Sequence, residues 1–265
     1  MGPIRLTATP GSPTIGVFPM TQAQADAYLC GVVPEETDAR FLSQHLAAYA
    51  FTRQFVAGKR VLEIGFGDGY GANYLADVAA QVTGIDIALG NIPRAQQKYP
   101  RANVRFVHSD GSTLDFPDAS FDVIASFQVI EHIAEPHLPR YLTEIRRVLT
   151  ADGVCCLSTL NLAHNMKPGK PYEKLCLHEK EFTGPELRHL LEQYFPSVAL
   201  HGLYPSPTHY IFERLKKWGL MRFGPIHLNP VARFYQRVSV DDYRTRPQIT
   251  TAALDLYAVC RKAAV

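Results

Sequence analysis

The stretch Val61-Leu-Glu-Ile-Gly-Phe-Gly-Asp-Gly-Tyr-Gly71 constrains this chain more than any other. Val61 to Ile64 is an apolar run that reads as a buried strand. It breaks into a turn dense in glycine at Gly65, Gly67, Gly69 and Gly71, and Ala72-Asn-Tyr-Leu-Ala-Asp-Val then reads as a helix. Glycines at a strand-to-helix turn let the backbone bend sharply and let a ligand come close with no Cβ in the way. Glu63 lies inside the apolar strand. A buried carboxylate is costly unless something pairs with it, and a ligand bearing an ammonium group would supply that partner. Asp86 closes the next apolar run, Val82-Thr-Gly-Ile-Asp86.

A glycine pattern of this kind is weak alone, because dinucleotide-binding dehydrogenases use a similar one. A nicotinamide-dependent oxidoreductase is therefore one rival reading, and a binding module without catalysis is another. The surrounding chain narrows the choice. Five apolar strand candidates, Arg60–Ile64, Gln81–Ile85, Val104–His108, Phe121–Phe127 and Gly153–Thr159, alternate with helices near 70–78, 91–98 and 137–149. Such alternation predicts a parallel sheet covered on both faces. Ligands of such sheets bind beyond the carboxyl ends of the strands, where the glycine turn, Asp86, Asp110 and Gln128–His132 converge. Thr183-Gly-Pro-Glu186 is a capping-box pattern opening a helix over 184–193. Val198–Leu203 and Leu254–Arg261 read as the last two strands, separated by about fifty residues, far more than a usual connection.

The order acidic residue, then Gly-x-Gly-x-Gly, here Glu63-Ile-Gly65-Phe-Gly67-Asp-Gly69, resembles the first motif of the class I S-adenosylmethionine-dependent methyltransferases. Leu114-Asp-Phe-Pro-Asp-Ala-Ser-Phe-Asp-Val-Ile-Ala-Ser-Phe-Gln-Val-Ile-Glu-His-Ile133 resembles the fourth-strand region of members acting on small molecules, lipids and glycans. Phe66 departs from the pattern, since a smaller residue is commoner there, and it is expected to crowd the turn. The resemblance implies a Rossmann-like, doubly wound, seven-stranded sheet, mostly parallel with an antiparallel last strand, and S-adenosylmethionine as cofactor. It implies that Asp86, followed by Ile87, grips the ribose diol, twenty-one residues after Gly65. Asp110 would accept the exocyclic amine of adenine and the amide near Gly111 would meet a ring nitrogen. The Phe127 carbonyl or the Gln128 side chain would meet the methionine end. A strand-end or turn-forming role is the competing reading for Asp86 and Asp110.

Methyl transfer from a sulfonium needs alignment and exclusion of water, and a hydroxyl acceptor must also lose a proton, which calls for a base. His132 is the first candidate, with Glu131 as its partner or as part of the cofactor pocket. His178 is the second. Either imidazole equally suits a structural role in a loop. No acidic cluster and no C-x-x-C pair is present, so no metal site is assigned. An Asn/Asp-Pro-Pro-Tyr/Phe signature, used on the exocyclic amines of DNA bases, is missing after the fourth strand, and the net charge of +2 gives no pull toward nucleic acid. The expected acceptor is an oxygen on a small molecule, a glycan or a lipid-linked intermediate.

The expected organisation is an arm and helical cap over 1–57, a cofactor-binding core over 58–204, an insertion over 205–250 and a last core strand over 251–265. In the cap, Phe41, Leu42, His45, Leu46 and Tyr49 recur at helical spacing. His45 and Tyr49 either face the pocket or pack the helix on the sheet. In the insertion, Tyr210 to Met221 reads as an amphipathic helix with basic residues beside aromatics. This suits an acceptor lid, a homodimer contact or a membrane-surface contact through 209–237. Of the five cysteines, Cys155, Cys156 and Cys260 lie in apolar runs and read as buried free thiols, while Cys30 and Cys176 complete a scattered, odd set. That favours a cytoplasmic setting. The N-terminus shows neither an apolar signal core nor a myristoylation pattern.

Overall fold

The computed structural model describes residues 32–111, 113–166, 169, 171–172, 174–175, 177–220 and 228–263. The arm read over 1–20, the start of the cap, Cys30, Cys176 and Met221 to Phe223 lie outside the described residues.

In chain order the elements begin with α1 (Ala39–Thr52), β1 (Arg60–Ile64), α2 (Tyr70–Leu75), β2 (Gln81–Asp86), α3 (Asn91–Lys98), β3 (Val104–His108) and β4 (Phe121–Phe127). They continue with α4 (Leu138–Val148), β5 (Leu149–Leu160), α5 (Leu162–Asn165), α6 (Gly184–Glu192) and β6 (Ser197–Pro205). The last elements are α7 (Pro207–Lys217), α8 (Pro230–Arg237), β7 (Tyr243–Arg246) and β8 (Asp255–Arg261). The strands form one sheet in the order β3-β2-β1-β4-β5-β8-β6-β7. The first five pair in parallel, and β8 lies antiparallel between β5 and β6. Among the described residues the sheet has eight strands rather than the expected seven. The extra strand, β7, comes from the insertion and pairs with the edge of β6. Its sequence, Tyr-Arg-Thr-Arg, has no apolar run to announce it, and an edge strand needs none.

Both faces of the sheet are covered, as the unbroken apolar strands require. Alternate residues of one strand serve opposite cores. Leu62 and Ile64 join the core under α4 and α6, while Val61 joins the core under α1, α2 and α3. Helix α4 buries Leu138, Tyr141, Leu142, Ile145 and Val148, one stripe at helical spacing. The capping box at Thr183 and Glu186 forms as its sequence suggests. Asp122 is structural: it accepts from the backbone amide and guanidinium of Arg60 and ties β4 to β1. Cys155, Cys156 and Cys260 are free thiols inside the sheet. Among the described residues, no helix is long and apolar enough to cross a membrane.

Candidate active site

A cavity of about 560 Å³ opens at the carboxyl ends of β1, β4 and β5. The glycine turn forms one wall. Gly65, Gly67 and Gly69 all take left-handed conformations, with φ of 75°, 57° and 97°, which side chains rarely adopt. A Cβ on Gly65 would stand 2.7 Å from the Val129 side chain. The turn is held from behind by Asp86. One of its carboxylate oxygens accepts from the Gly67 amide at 2.8 Å, and the other from the Ala88 amide at 2.8 Å and the Asn91 side chain at 3.3 Å.

Phe66 does not crowd the turn. Its ring is buried and meets Phe106 at 4.7 Å between centroids. The space beneath it exists because residue 84 is glycine, whose added Cβ would lie 3.0 Å from both rings. Phe66 thus supports the turn from the core.

Glu63 is buried and accepts from the Tyr49 hydroxyl at 2.7 Å. The sequence left its partner to a ligand, and α1 supplies one. The other carboxylate oxygen has no hydrogen-bond partner. Burial pushes this carboxyl up to about 8, against the pull of the Tyr49 hydroxyl. An unsatisfied buried acceptor beside a turn that admits no Cβ is the kind of setting a ligand with an ammonium group and a close backbone contact fits.

Helix α1 forms the second wall with Phe41, Gln44, His45, Ala48 and Tyr49, a stripe at i, i+3, i+4, i+7 and i+8. His45 and Tyr49 therefore both face the cavity. Tyr49 also packs edge-on against Phe127 at 4.7 Å. Phe127 and Gln128 line the cavity at the end of β4. Gln128 has a positive φ of 55° while its amide donates to the Ser158 carbonyl at 2.9 Å. A left-handed residue other than glycine costs roughly 1–2 kcal/mol and marks a point where the chain is held on purpose.

Glu131, His132 and His178 line the same cavity. Glu131 is fully buried, and burial pushes its carboxyl up to about 8. The Nδ1 of His132 donates to the Leu177 carbonyl at 2.9 Å, and burial lowers this imidazole. The Nδ1 of His178 meets the Glu181 carboxylate at 2.6 Å. The two rings stand edge to face at 4.9 Å.

Glu63, Gly69 and Asp86 stand behind the cavity wall without bordering it, and Ile87, Asp110 and Gly111 do not border it either. Ile87 is 47% exposed and Asp110 is exposed. They stand beside each other past β2 and β3, where the Ser109 amide donates to the Asp86 carbonyl at 3.0 Å. Gly111, next to Asp110, is buried.

Among the cavity residues that the sequence reading did not single out are Gln44, Asp255 and Tyr257. Asp255 is buried, accepts from the Gln44 amide at 3.0 Å and is pushed up to about 7 by burial. The signal was present, since Asp255 interrupts the apolar run Leu254 to Cys260 just as Glu63 interrupts its own. The described part of the insertion does not line the cavity. It braces α1 instead. The Ser43 hydroxyl donates to the Val238 carbonyl at 3.0 Å, and the Tyr243 hydroxyl donates to the Arg40 carbonyl at 2.9 Å.

A family profile described as a methyltransferase domain matches residues 62–157. A probable S-adenosylmethionine-dependent methyltransferase of Mycolicibacterium smegmatis is 38% identical over 149 residues, covering 56% of each chain. A phthiotriol/phenolphthiotriol dimycocerosates methyltransferase of Mycobacterium leprae is 30% identical over 154 residues, 57% of this chain and 53% of its own. The chain spans about half the length of these curated relatives. Among solved structures, a TehB-like SAM-dependent methyltransferase of Corynebacterium glutamicum shares the fold, with a TM-score of 0.51 and 20% identity over 82% of this chain and 87% of its own. Residues 62–157, which hold the glycine turn and its buried acidic residue, thus resemble the domain of S-adenosylmethionine-dependent methyltransferases.

Proposed function

We propose that the protein transfers a methyl group from S-adenosylmethionine to an oxygen of a small molecule, sugar or lipid-linked acceptor, with a histidine of the cavity wall taking the hydroxyl proton. One observation carries this reading. The glycine turn, the end of β4 and the imidazoles of His132 and His178 all border one cavity.

The cofactor supplies an electrophilic methyl on a sulfonium. The residues of this chain do the rest. Gly65 to Gly69, held by Asp86, fix the backbone that the cofactor lies against. Phe127 and Gln128 set the far end of its position. Because the Leu177 carbonyl takes the Nδ1 hydrogen of His132, the neutral ring carries its lone pair on Nε2, the form that accepts a proton. His178 is the second candidate. Alignment of acceptor, methyl and sulfur supplies much of the rate.

A lipid-linked acceptor agrees with the named substrate of the mycobacterial relative. It agrees also with α7 and its capping residue, where exposed Tyr210, Ile211 and Trp218 suit a peripheral membrane contact through 209–237. A homodimer contact is the other use of that face, and no nucleic-acid partner is part of this reading. The buried free thiols suit a cytoplasmic setting.

Calorimetric titration with S-adenosylhomocysteine is the first test, followed by transfer of a labelled methyl group to a panel of hydroxylated lipids, sugars and phenols. One-site binding and labelling of a hydroxyl acceptor, lost in His132→Ala with binding retained, is the expected result. No binding by the unaltered chain defeats the reading.

A further inference from the structure

Glu131, His132 and His178 each place a ligand-type atom within 4.8 Å of the other two. Glu131 and His132 sit in the turn after β4, and His178 arrives from a segment far along the chain. All three border the cavity.

Glu131 is the unusual member. It is 0% exposed, and neither carboxylate oxygen has a hydrogen-bond partner among the described residues. The Thr159 hydroxyl stands close enough to favour the ionised form without reaching hydrogen-bond geometry. Burying a carboxyl this way is costly unless a cation or donor joins it. The imidazoles beside it are fixed from behind. His132 is held by the Leu177 carbonyl at 2.9 Å and His178 by Glu181 at 2.6 Å. Glu181 is in turn held by the Leu175 amide at 3.3 Å and the Tyr172 hydroxyl. Imidazoles backed by a carbonyl or carboxylate, beside a bare carboxylate, are the usual surroundings of a metal ion.

We propose that Glu131, His132 and His178 bind a divalent first-row transition ion, such as zinc, with an open coordination position toward the cavity. Two nitrogen ligands favour such an ion over magnesium or calcium, which prefer oxygen alone. Ligand atoms about 2.1 Å from one tetrahedral ion stand roughly 3.4 Å apart. The three ligand atoms therefore need to draw together by little more than an ångström. An acceptor hydroxyl at the open position loses its proton more readily, to solvent at the cavity mouth. The oxygen then bonds to the methyl carbon as the carbon–sulfur bond breaks and its electron pair stays on sulfur. This use of the ion rests on the methyl-transfer reading above, but changes its base: His132 becomes a ligand and no free imidazole is required.

The test uses the full chain, stripped with a chelator and titrated calorimetrically with Zn²⁺ and spectroscopically with Co²⁺. One ion per chain is expected, with visible Co²⁺ absorption bands. Glu131→Gln and His178→Ala should each weaken binding about a hundredfold or more, and Glu181→Gln about tenfold. Ion-free melting temperatures of the variants check that they fold. An unaltered chain that binds no ion, or folded variants that bind as well as it does, overturns the proposal, as does undiminished methyl transfer by the stripped chain. Ion binding without S-adenosylhomocysteine binding would instead sink the methyl-transfer reading and leave the ion site standing.

Discussion

The Tyr49 hydroxyl on α1 donates at 2.7 Å to the Glu63 carboxylate on β1. This bond joins the helix that walls the cavity to the strand that launches the glycine turn. Tyr49→Phe leaves a buried carboxyl with no partner and should cost about 1–3 kcal/mol, read as a lower melting temperature.

The same pair makes stability depend on pH. The ordinary value for this carboxyl is 4.5, and burial raises it to about 8 in the folded chain. The folded state therefore keeps a proton that the unfolded state releases. The stabilising contribution is whole below about pH 4.5 and drains away as pH rises toward 8. Glu63→Gln is neutral in both states and has no such slope. Its melting temperature should gain on that of the unaltered chain between pH 5 and pH 8, and a constant gap across that range would refute the account.

Gly71 and Gly58 separate steric from conformational demand. A Cβ on Gly71 would stand 2.1 Å from the Tyr49 ring and 2.4 Å from the Glu63 carboxylate, whereas one on Gly58, at φ +69°, meets nothing within 4 Å. Gly58→Ala should cost only the left-handed backbone, roughly 1–2 kcal/mol. Gly71→Ala must push apart a buried ring and a buried carboxyl, so it should cost at least about 3 kcal/mol and abolish S-adenosylhomocysteine binding. Equal melting shifts for the two would contradict this packing.

What the sequence disclosed follows from how each residue earns its place. The β1 to β5 core was legible because an unbroken apolar run bounded by turn residues has few other uses. The glycine turn and Asp86 were legible because both depend on local spacing. Phe66 was misjudged because the space it fills is made by Gly84 on another strand. Tyr49 was seen to lie on the right stripe, yet its bond to Glu63 spans two elements that meet only in the fold. Strand β7 was missed because Tyr243 is the single buried residue of Tyr-Arg-Thr-Arg, too little to show a period. Asp255 was overlooked although it obeys the rule applied to Glu63.

Asp86 bears on how a cofactor-binding experiment is judged. Both of its oxygens accept protein hydrogen bonds, including one from the Gly67 amide. Asp86→Ala should lose S-adenosylhomocysteine binding and also lose about 2–3 kcal/mol of stability, because the turn amides are left bare. Asn91→Ala removes just the longest of the three bonds, at 3.3 Å, and should weaken binding severalfold with a melting shift of a few degrees at most. A stable Asp86→Ala protein that still fails to bind would show that the carboxylate touches the ligand directly.

The insertion acts on the cavity through α1. Ser43 and Tyr243 make two hydrogen-bonded bridges, to the Val238 and Arg40 carbonyls, and neither residue borders the cavity. Ser43→Ala with Tyr243→Phe should cost about 1 kcal/mol for each lost bond. The bonds are far apart in sequence but brace one helix, so their effects need not add. Loosening α1 displaces Gln44, His45 and Tyr49 together, so methyl transfer should fall by more than stability does, with acceptor KM rising before kcat drops. Unchanged kinetics in the double variant, alongside the expected loss of stability, would mean that α1 holds its place without the insertion.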